Sequence, residues 1–285
     1  MIDETVEEIA DMQTHSSSVV AVKAAEALRE LTETEFPAVS EYVRALEQNS
    51  DALRRANPSH ASLHTTQREI VERVRDAAVE SVAEAQAETR RVIDAVVDSV
   101  EKGKRRAATE AADFLLDAGV ETILTHDYST TVLSAITRAI EEDAELTVYV
   151  TEARPRFLGR RMARRLAKYE AVDTRMIIDG ASGHVLPDID RVLLGMTCIV
   201  DEQLYNRVGT YPLVATAADC DVPVTSVGSA AKVVDGGFAF ENDFRSASEV
   251  MREPAEGFQI ENPAYDATPT RLLDTIVTDE GIQEL

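Results

Sequence analysis

The hydrophobic period of the sequence changes near residue 118, and this change limits the folds that the chain can adopt. Before it, apolar residues recur at three- and four-residue spacing, as in Val19 and Val22 or Ile70 and Val74. That spacing places apolar side chains on one face of an α-helix. After it, short apolar runs alternate with helical stretches. We therefore predict an all-helical domain over residues 1–117 and an α/β domain over residues 118–285.

Six short runs rich in β-branched and apolar residues predict the strands of the second domain. They cover residues 121–124, 146–150, 174–178, 191–194, 222–227 and 273–277. Helical segments at 159–169 and 209–218 stand between them, as in βαβ units, so the fold class is a doubly wound, Rossmann-like parallel sheet. Ligands of such sheets bind beyond the carboxyl ends of the strands. The residues that follow each strand are therefore the candidate site.

The excess of acidic over basic residues limits the kinds of molecule that the chain is expected to bind. The chain has 52 acidic and 29 basic residues, with a formal net charge of −23. This predicts the surface of a halophilic protein, since the Debye length falls to about 3 Å in molar salt and dense carboxylates then repel one another little. The same field repels a polyanion, so we expect no direct DNA binding.

Neither a metal nor a cofactor is expected from the sequence. Cys198 and Cys220, the two cysteines, lack metal-ligand spacing. No Gly-x-Gly-x-x-Gly fingerprint or Walker loop follows a strand, which argues against dinucleotide and nucleoside triphosphate sites of those kinds. The longest apolar runs, such as 192–200, are too short to span a bilayer, and the acidic start does not resemble a signal peptide. We expect no membrane association and a cytoplasmic location.

Three loops after predicted strands carry groups suited to an anion. Ser129 follows the first strand, where its hydroxyl either caps the next helix or helps backbone N–H groups to bind an anion. Arg154 follows the second strand, and its guanidinium either holds a phosphate through two hydrogen bonds or pairs with Glu152. In a third loop, Gly209 permits close backbone approach, and Thr210 either caps a helix or contacts an anion.

Four motifs in order carry a resemblance to a known family. They are Thr-His at 125–126, Glu-Ala-Arg-Pro at 152–155, Asn-Arg-Val-Gly-Thr at 206–210 and Asn-Pro-Ala-Tyr-Asp-Ala-Thr-Pro at 262–269. Together they resemble the regulatory alpha, beta and delta subunits of initiation factor 2B and their isomerase relatives. Those isomerases act on ribose-1,5-bisphosphate or methylthioribose-1-phosphate. The resemblance implies a homodimer or higher homo-oligomer, a small phosphorylated ligand, and initiation factor two subunits as candidate partners.

The resemblance also shows what this chain has changed. Asp127 stands where the isomerases have a catalytic cysteine, and Thr197 stands where they have a catalytic aspartate. A threonine hydroxyl cannot act as a base near neutral pH. The phosphate-binding positions keep a basic residue, at Arg154 and at the Asn206-Arg207 pair. The Arg-Gly-Ala segment that grips phosphate in the bisphosphate isomerase is absent, and residues 15–18 occupy that region.

Three hypotheses follow. The leading one is a noncatalytic initiation factor 2B-like protein that senses a sugar phosphate or nucleotide through Arg154 and Arg207. The alternative is a divergent aldose-ketose isomerase in which Asp127 is the surviving general base. The third is a structural scaffold that neither binds nor converts a ligand.

Overall fold

A computed structural model describes residues 2–11, 17–234, 238–253 and 256–285. Of residues 15–18, which replace the phosphate-gripping segment of the family, 15 and 16 lie outside this part of the chain. The contacts define two compact units. The helical unit comprises residues 1–103 and 231–240, and the α/β unit comprises residues 104–230 and 241–285.

The described part of the chain contains the following helices and strands. The α-helices are α1 (Ile2–Asp11), α2 (Ser17–Ala27), α3 (Val39–Ala56), α4 (Ala61–Arg75), α5 (Val82–Asp117), α6 (Thr130–Glu141), α7 (Gly159–Leu166), α8 (Ser182–Val185), α9 (Thr210–Asp219) and α10 (Ala247–Val250). The strands are β1 (Thr122–Thr125), β2 (Leu146–Thr151), β3 (Val172–Ile177), β4 (Arg191–Gly195), β5 (Cys198–Val200), β6 (Gln203–Arg207), β7 (Val224–Val227), β8 (Val233–Val234), β9 (Tyr265–Pro269), β10 (Thr275–Thr278) and β11 (Gly281–Glu284).

The helical unit is held together by apolar stripes on its helices. Leu46 and Leu53 of α3 and Ile70 of α4 are fully buried in one core, which α1, α2 and α5 complete. Tyr42 is also fully buried, and its hydroxyl donates a hydrogen bond of 2.8 Å to Thr89. A buried phenol needs such a partner. Helix α3 ends at residue 56 because Pro58 disfavours helical geometry in the residue before it.

The α/β unit is built on a seven-stranded sheet in the order β11-β10-β7-β4-β1-β2-β3. Its strands are parallel except for β11, which pairs antiparallel with β10. Central strands are buried along nearly their whole length, as the apolar runs predicted. The predicted fold class, an α/β protein with N-terminal helices and a Rossmann-like parallel sheet, is confirmed.

Each of the six predicted strands overlaps an observed strand, with shifted ends. The segment predicted at 174–178 is β3 at Val172–Ile177, and the segment predicted at 222–227 is β7 at Val224–Val227. Helix α7 ends at Leu166, three residues before the predicted end. These shifts are small because burial, which sets the pattern, fades gradually at the ends of an element.

A second group of strands was not predicted. Strands β5, β6 and β9 form antiparallel pairs, with Asn206 opposite Asp266 and Arg207 opposite Tyr265. The sequence indicated a loop at residues 206–210, whereas the structure places the first two of these residues at the end of β6. Polar side chains on β6 hide the alternation that normally marks a strand. This pairing positions Arg207 beside the carboxyl edge of the large sheet.

Two negative observations concern the described residues alone. Within residues 2–11, 17–234, 238–253 and 256–285, no helix is long and apolar enough to cross a membrane. In the same ranges, no group of three or more histidine, cysteine, aspartate or glutamate side chains is arranged to hold a metal ion.

Candidate active site

The turn after β1 fixes a buried histidine and an aspartate. His126 is 2% exposed. Its Nε2 lies 2.9 Å from the carbonyl oxygen of Val208, and its Nδ1 lies 2.6 Å from the hydroxyl of Thr151. A neutral ring that donates from Nε2 and accepts at Nδ1 satisfies both contacts. The next residue, Asp127, has a φ of 67°. This left-handed conformation, which aspartate tolerates, follows directly on the anchored ring.

The loop between β2 and α7 is tightly folded. The Arg154–Pro155 peptide bond is cis, and Ala153 has a φ of 57°. The carboxylate of Asp179 accepts hydrogen bonds from the backbone N–H groups of Ala153, at 2.8 Å, and of Arg154, at 2.7 Å. The Arg154 guanidinium donates to the carbonyl oxygen of Val250 at 3.2 Å. The loop therefore presents Arg154 from a backbone held by Asp179.

The turn between β6 and α9 approaches the histidine closely. Gly209 has a φ of +102°, and a Cβ at this position would lie 2.7 Å from Cε1 of His126. Asp266 accepts hydrogen bonds from the backbone N–H groups of Gly209, at 2.7 Å, and Tyr211, at 3.0 Å. A carboxylate is favourable at a helix N-terminus. The chain's own Asp266 thus occupies the N-terminal end of α9.

Three of the predicted ligand-binding residues form structural hydrogen bonds. The Ser129 hydroxyl accepts from the backbone N–H of Val132 and caps α6. The Thr210 hydroxyl donates to the carbonyl oxygen of Arg207 at 2.7 Å, and Asn206 donates to Thr210 at 3.1 Å. None of the three is among the residues that line the pocket described next. A ligand role for them stays a prediction.

Asp127, Arg154 and Arg207 meet at one pocket beyond the carboxyl ends of β1 and β2. The space among its lining side chains is about 310 Å³ when the open mouth is included. Nε of Arg207 lies 3.5 Å from Oδ2 of Asp127, and both side chains are more than four-fifths buried. The guanidinium of Arg207 also stacks on the ring of Tyr265, 4.8 Å from its centre. The pocket therefore contains a carboxylate held beside a fixed cation.

Three further charged residues line the pocket and were not among the predicted site residues. They are Arg156, Arg245 and Glu249. Glu249 accepts hydrogen bonds from Nη2 of Arg156 at 2.7 Å and from Nε at 3.1 Å. Arg156 directly follows Arg154 and Pro155 in the sequence, so its position near the pocket could have been predicted from that motif. Arg245 and Glu249 lie in a polar stretch without periodicity, and no sequence signal indicated their approach.

The pocket concentrates positive charge in an acidic protein. Arg154, Arg156, Arg207 and Arg245 all contribute to its lining. The side chain of Arg245 is 4% exposed and its guanidinium lies 3.2 Å from Asp243. Burial lowers the pKa of Arg245, and the charges of Arg156 and Arg207 lower this pKa further. Because these cations disfavour one another, an anion bound among them is stabilised.

Glu249→Gln is expected to destabilise the chain at neutral pH by about 1–3 kcal/mol, because Arg156 loses a charged, doubly bonded partner. The hydrogen bond from Arg156 lowers the pKa of Glu249. The stabilisation is therefore present above the ordinary glutamate pKa and is lost as pH falls through the lowered value. Denaturant unfolding across acidic pH measures this difference. The exposed Glu253→Gln is the matched control and should change neither stability nor its pH dependence.

Fold and site together define a Rossmann-like α/β protein whose arginine-lined pocket lies at the carboxyl edge of its parallel sheet. The chain belongs to the Initiation factor 2 subunit family, whose sequence profile matches residues 13–284. This confirms the resemblance that the four motifs indicated.

Among curated relatives, the chain is 30% identical to the ribose 1,5-bisphosphate isomerase of Haloterrigena turkmenica, over 97% of this chain and 88% of the relative. It is 28% identical to the protein of the same name from Methanocaldococcus jannaschii, over 99% of this chain and 91% of the relative. Among solved structures, the translation initiation factor eIF-2B of Pyrococcus horikoshii superposes with a TM-score of 0.80 at 23% identity, covering 99% of this chain and 96% of that one.

A further structural relative is a tetrameric assembly, the eIF2B-beta2-delta2 complex of C. thermophilum. Its matching chain superposes with a TM-score of 0.76 at 18% identity, covering 99% of this chain and 91% of that one. At this identity the likeness concerns the fold alone.

The expectation of a noncatalytic role was wrong. Six curated relatives that match 97–99% of this chain at 26–30% identity are named ribose 1,5-bisphosphate isomerases. These names favour the alternative hypothesis, a divergent aldose-ketose isomerase. The changes at residues 127 and 197 do not amount to loss of the catalytic groups, because a carboxylate at position 127 is itself a group that transfers protons.

Proposed function

We propose that this protein is an aldose-ketose isomerase acting on a phosphorylated ribose, with ribose 1,5-bisphosphate as the first candidate substrate. The observation that carries the proposal is the near full-length similarity to six isomerases of that name. The pocket supports it independently, because it combines a carboxylate with four guanidinium groups. These are the groups that a proton transfer on an anionic sugar requires.

The reaction moves hydrogen between two adjacent carbons without changing the overall composition. The ring C–O bond opens and its oxygen gains a proton, the C2 hydroxyl loses its proton, and the hydrogen on C2 is replaced by one on C1. In our proposal Asp127 accepts the C2 proton and returns it to C1. One carboxylate reaches both positions because the two carbons are directly bonded. The hydroxyl protons exchange with water, to which the pocket is open.

Arg207 has a separate role in this proposal. Its Nε lies 3.5 Å from Oδ2 of Asp127, so the guanidinium holds the carboxylate in place beside the pocket. Its positive charge stabilises negative charge that develops on the sugar oxygens as the C2 proton leaves. Thr197 takes no part, since it is not among the residues lining the pocket, and its backbone N–H donates to the carbonyl oxygen of Tyr205 at 3.0 Å.

We assign phosphate binding to the three arginines of the pocket other than Arg207. Arg154 approaches from the loop after β2, Arg156 pairs with Glu249, and Arg245 pairs with Asp243. Guanidinium groups bind phosphate oxygens in pairs, which orients the ligand as well as holding it. We assign a phosphate of the substrate to these three arginines and the reacting carbons to Asp127.

The test is conversion of defined sugars by the purified chain. We expect ribose 1,5-bisphosphate, followed by ³¹P and ¹H NMR, to give a ketose bisphosphate. In D₂O a fraction of the product should carry deuterium at C1, namely the turnovers in which the protonated carboxyl of Asp127 exchanges with solvent before it returns the proton. Methylthioribose-1-phosphate, assayed in parallel, defines the choice of substrate. Absence of a ketose product from both sugars, with a chain that circular dichroism shows to be folded, would reject the proposal.

We further propose a homo-oligomer that acts in the cytoplasm and carries its acidic surface as an adaptation to high salt. The C. thermophilum relative is part of a tetramer of two beta and two delta subunits, which supports assembly of several chains of this fold. The net charge of −23 supports the salt adaptation.

A further inference from the structure

Helix α7 gives the α/β unit an exposed basic patch in an otherwise acidic chain. The patch consists of Arg160, Arg161, Arg164, Arg165 and Lys168, all exposed. No acidic residue interrupts residues 159–169, although acidic residues outnumber basic ones by 52 to 29 in the whole chain. Arg160 pairs with Glu152, and Arg161 stacks on Tyr128. Among the described residues, Arg164, Arg165 and Lys168 have no ion pair.

An acidic crevice lies at the amino ends of β1, β2 and β3. The space within this open crevice, counted out to its mouth, is about 1250 Å³. Its exposed carboxylates are Glu121, Asp143, Glu145 and Glu170. In the part of the chain that the structure describes, none of the four forms an ion pair. The crevice therefore concentrates uncompensated negative charge.

The basic patch and the acidic crevice adjoin each other within one unit. The chain passes from Lys168 to Glu170 in a turn in which the N–H of Tyr169 donates to the carbonyl oxygen of Leu166. Strand β3, which follows, is at the edge of the sheet and pairs with β2 alone in that sheet. Tyr169, between Lys168 and Glu170, is 41% exposed. Opposite charges thus lie side by side, with an exposed aromatic side chain between them.

We propose that a second copy of this chain docks here, with the basic patch of each copy on the acidic crevice of the other. A surface with adjoining halves of opposite charge is self-complementary about a two-fold axis, because both contacts form at once. Charge complementarity also selects this orientation over others between two chains that each carry a net charge of −23. The exposed Tyr169, between the two halves, supplies apolar area for the centre of the contact.

Charge reversal on each half separates this interface from any other in the assembly. We expect Arg164→Glu/Arg165→Glu to lower the oligomer mass by one association step, from tetramer to dimer or from dimer to monomer. Glu145→Lys/Glu170→Lys should do the same. Sedimentation velocity, at the lowest salt at which the wild-type chain is folded, measures the mass. Arg55→Glu/Arg271→Glu makes the same change in net charge at exposed positions elsewhere and should leave the mass unchanged.

The decisive experiment mixes the patch variant with the crevice variant. The glutamates introduced at positions 164 and 165 of one copy then face the lysines introduced at positions 145 and 170 of the other. The unchanged crevice of the first copy still faces the unchanged patch of the second, so both contacts are complementary and the lost step should return. Combining all four substitutions in one chain should restore self-association but not association with the wild type. Failure of the mixture to recover mass overturns the proposal, as does unchanged mass in either variant alone. Retention of wild type on heparin through α7, without loss of an association step in the variants, assigns the patch to a polyanion instead.

Discussion

Asp127→Asn should lower the turnover number by about 10²–10⁴-fold, the range by which a positioned general base accelerates a reaction. Asparagine keeps the size of the side chain and tolerates the left-handed backbone, with φ at 67°, so the fold should persist. The amide cannot accept a proton from C2. Binding of the sugar phosphate should be retained, because the arginines that line the pocket are untouched.

The control for this result is Thr197→Ala. If a single carboxylate carries both proton transfers, removing the threonine hydroxyl should change kcat by less than a factor of about three. A large loss of kcat in Thr197→Ala with little loss in Asp127→Asn would show that residue 127 is not the base and would contradict the assignment. Measuring kcat and KM separately distinguishes a lost base from weakened binding.

Gly159→Ala should destabilise the chain by about 3 kcal/mol or more, since overpacking against rigid backbone is among the costliest changes. A Cβ at Gly159 would lie 1.7 Å from the carbonyl oxygen of Thr151, a backbone atom of β2 that cannot rotate away. The loop that carries Arg154 would have to move outward, so phosphate binding should weaken as well. Denaturant unfolding and a thermal-shift titration with inorganic phosphate measure the two effects.

Gly180→Ala is the matched control, because a Cβ at Gly180 meets no atom within 4 Å and its φ is not in the left-handed region. Its free energy of unfolding should differ from that of the wild type by less than about 0.5 kcal/mol. Equal stabilities of the two variants would show that the loop after β2 can give way, and would remove the reason for a glycine at residue 159.

The sequence predicted the architecture well because burial imposes a period on the chain. Strands such as β1 and β4 are covered on both faces, so their residues read as continuous apolar runs. The β5–β6–β9 group escaped prediction because β6 is polar at Asn206 and Arg207 and pairs through its backbone. Its register depends on partners that are distant in sequence, which a local pattern does not contain.

The sequence predicted those residues of the candidate site that belong to, or directly follow, one of the four motifs. Asp127 and Arg154 follow β1 and β2, Arg207 is the last residue of β6, and the pocket unites them. Arg245 and Glu249 come from a segment whose short helix, α10, has no core-facing residue and hence no period. Their position depends on tertiary contacts, such as the hydrogen bond from Asn262 to Glu249 at 3.3 Å. The pattern of a single sequence does not contain such contacts.

The buried ring of His126 has a consequence for how chemistry can change in this family. Its two nitrogens tie the turn after β1 to the Thr151 hydroxyl and to the carbonyl oxygen of Val208, and neither contact uses the side chain of residue 127. The turn can therefore keep its place with either a thiol or a carboxylate at that position. The reactive group at position 127 can therefore change during evolution while the turn after β1 keeps its position at the carboxyl edge of the sheet.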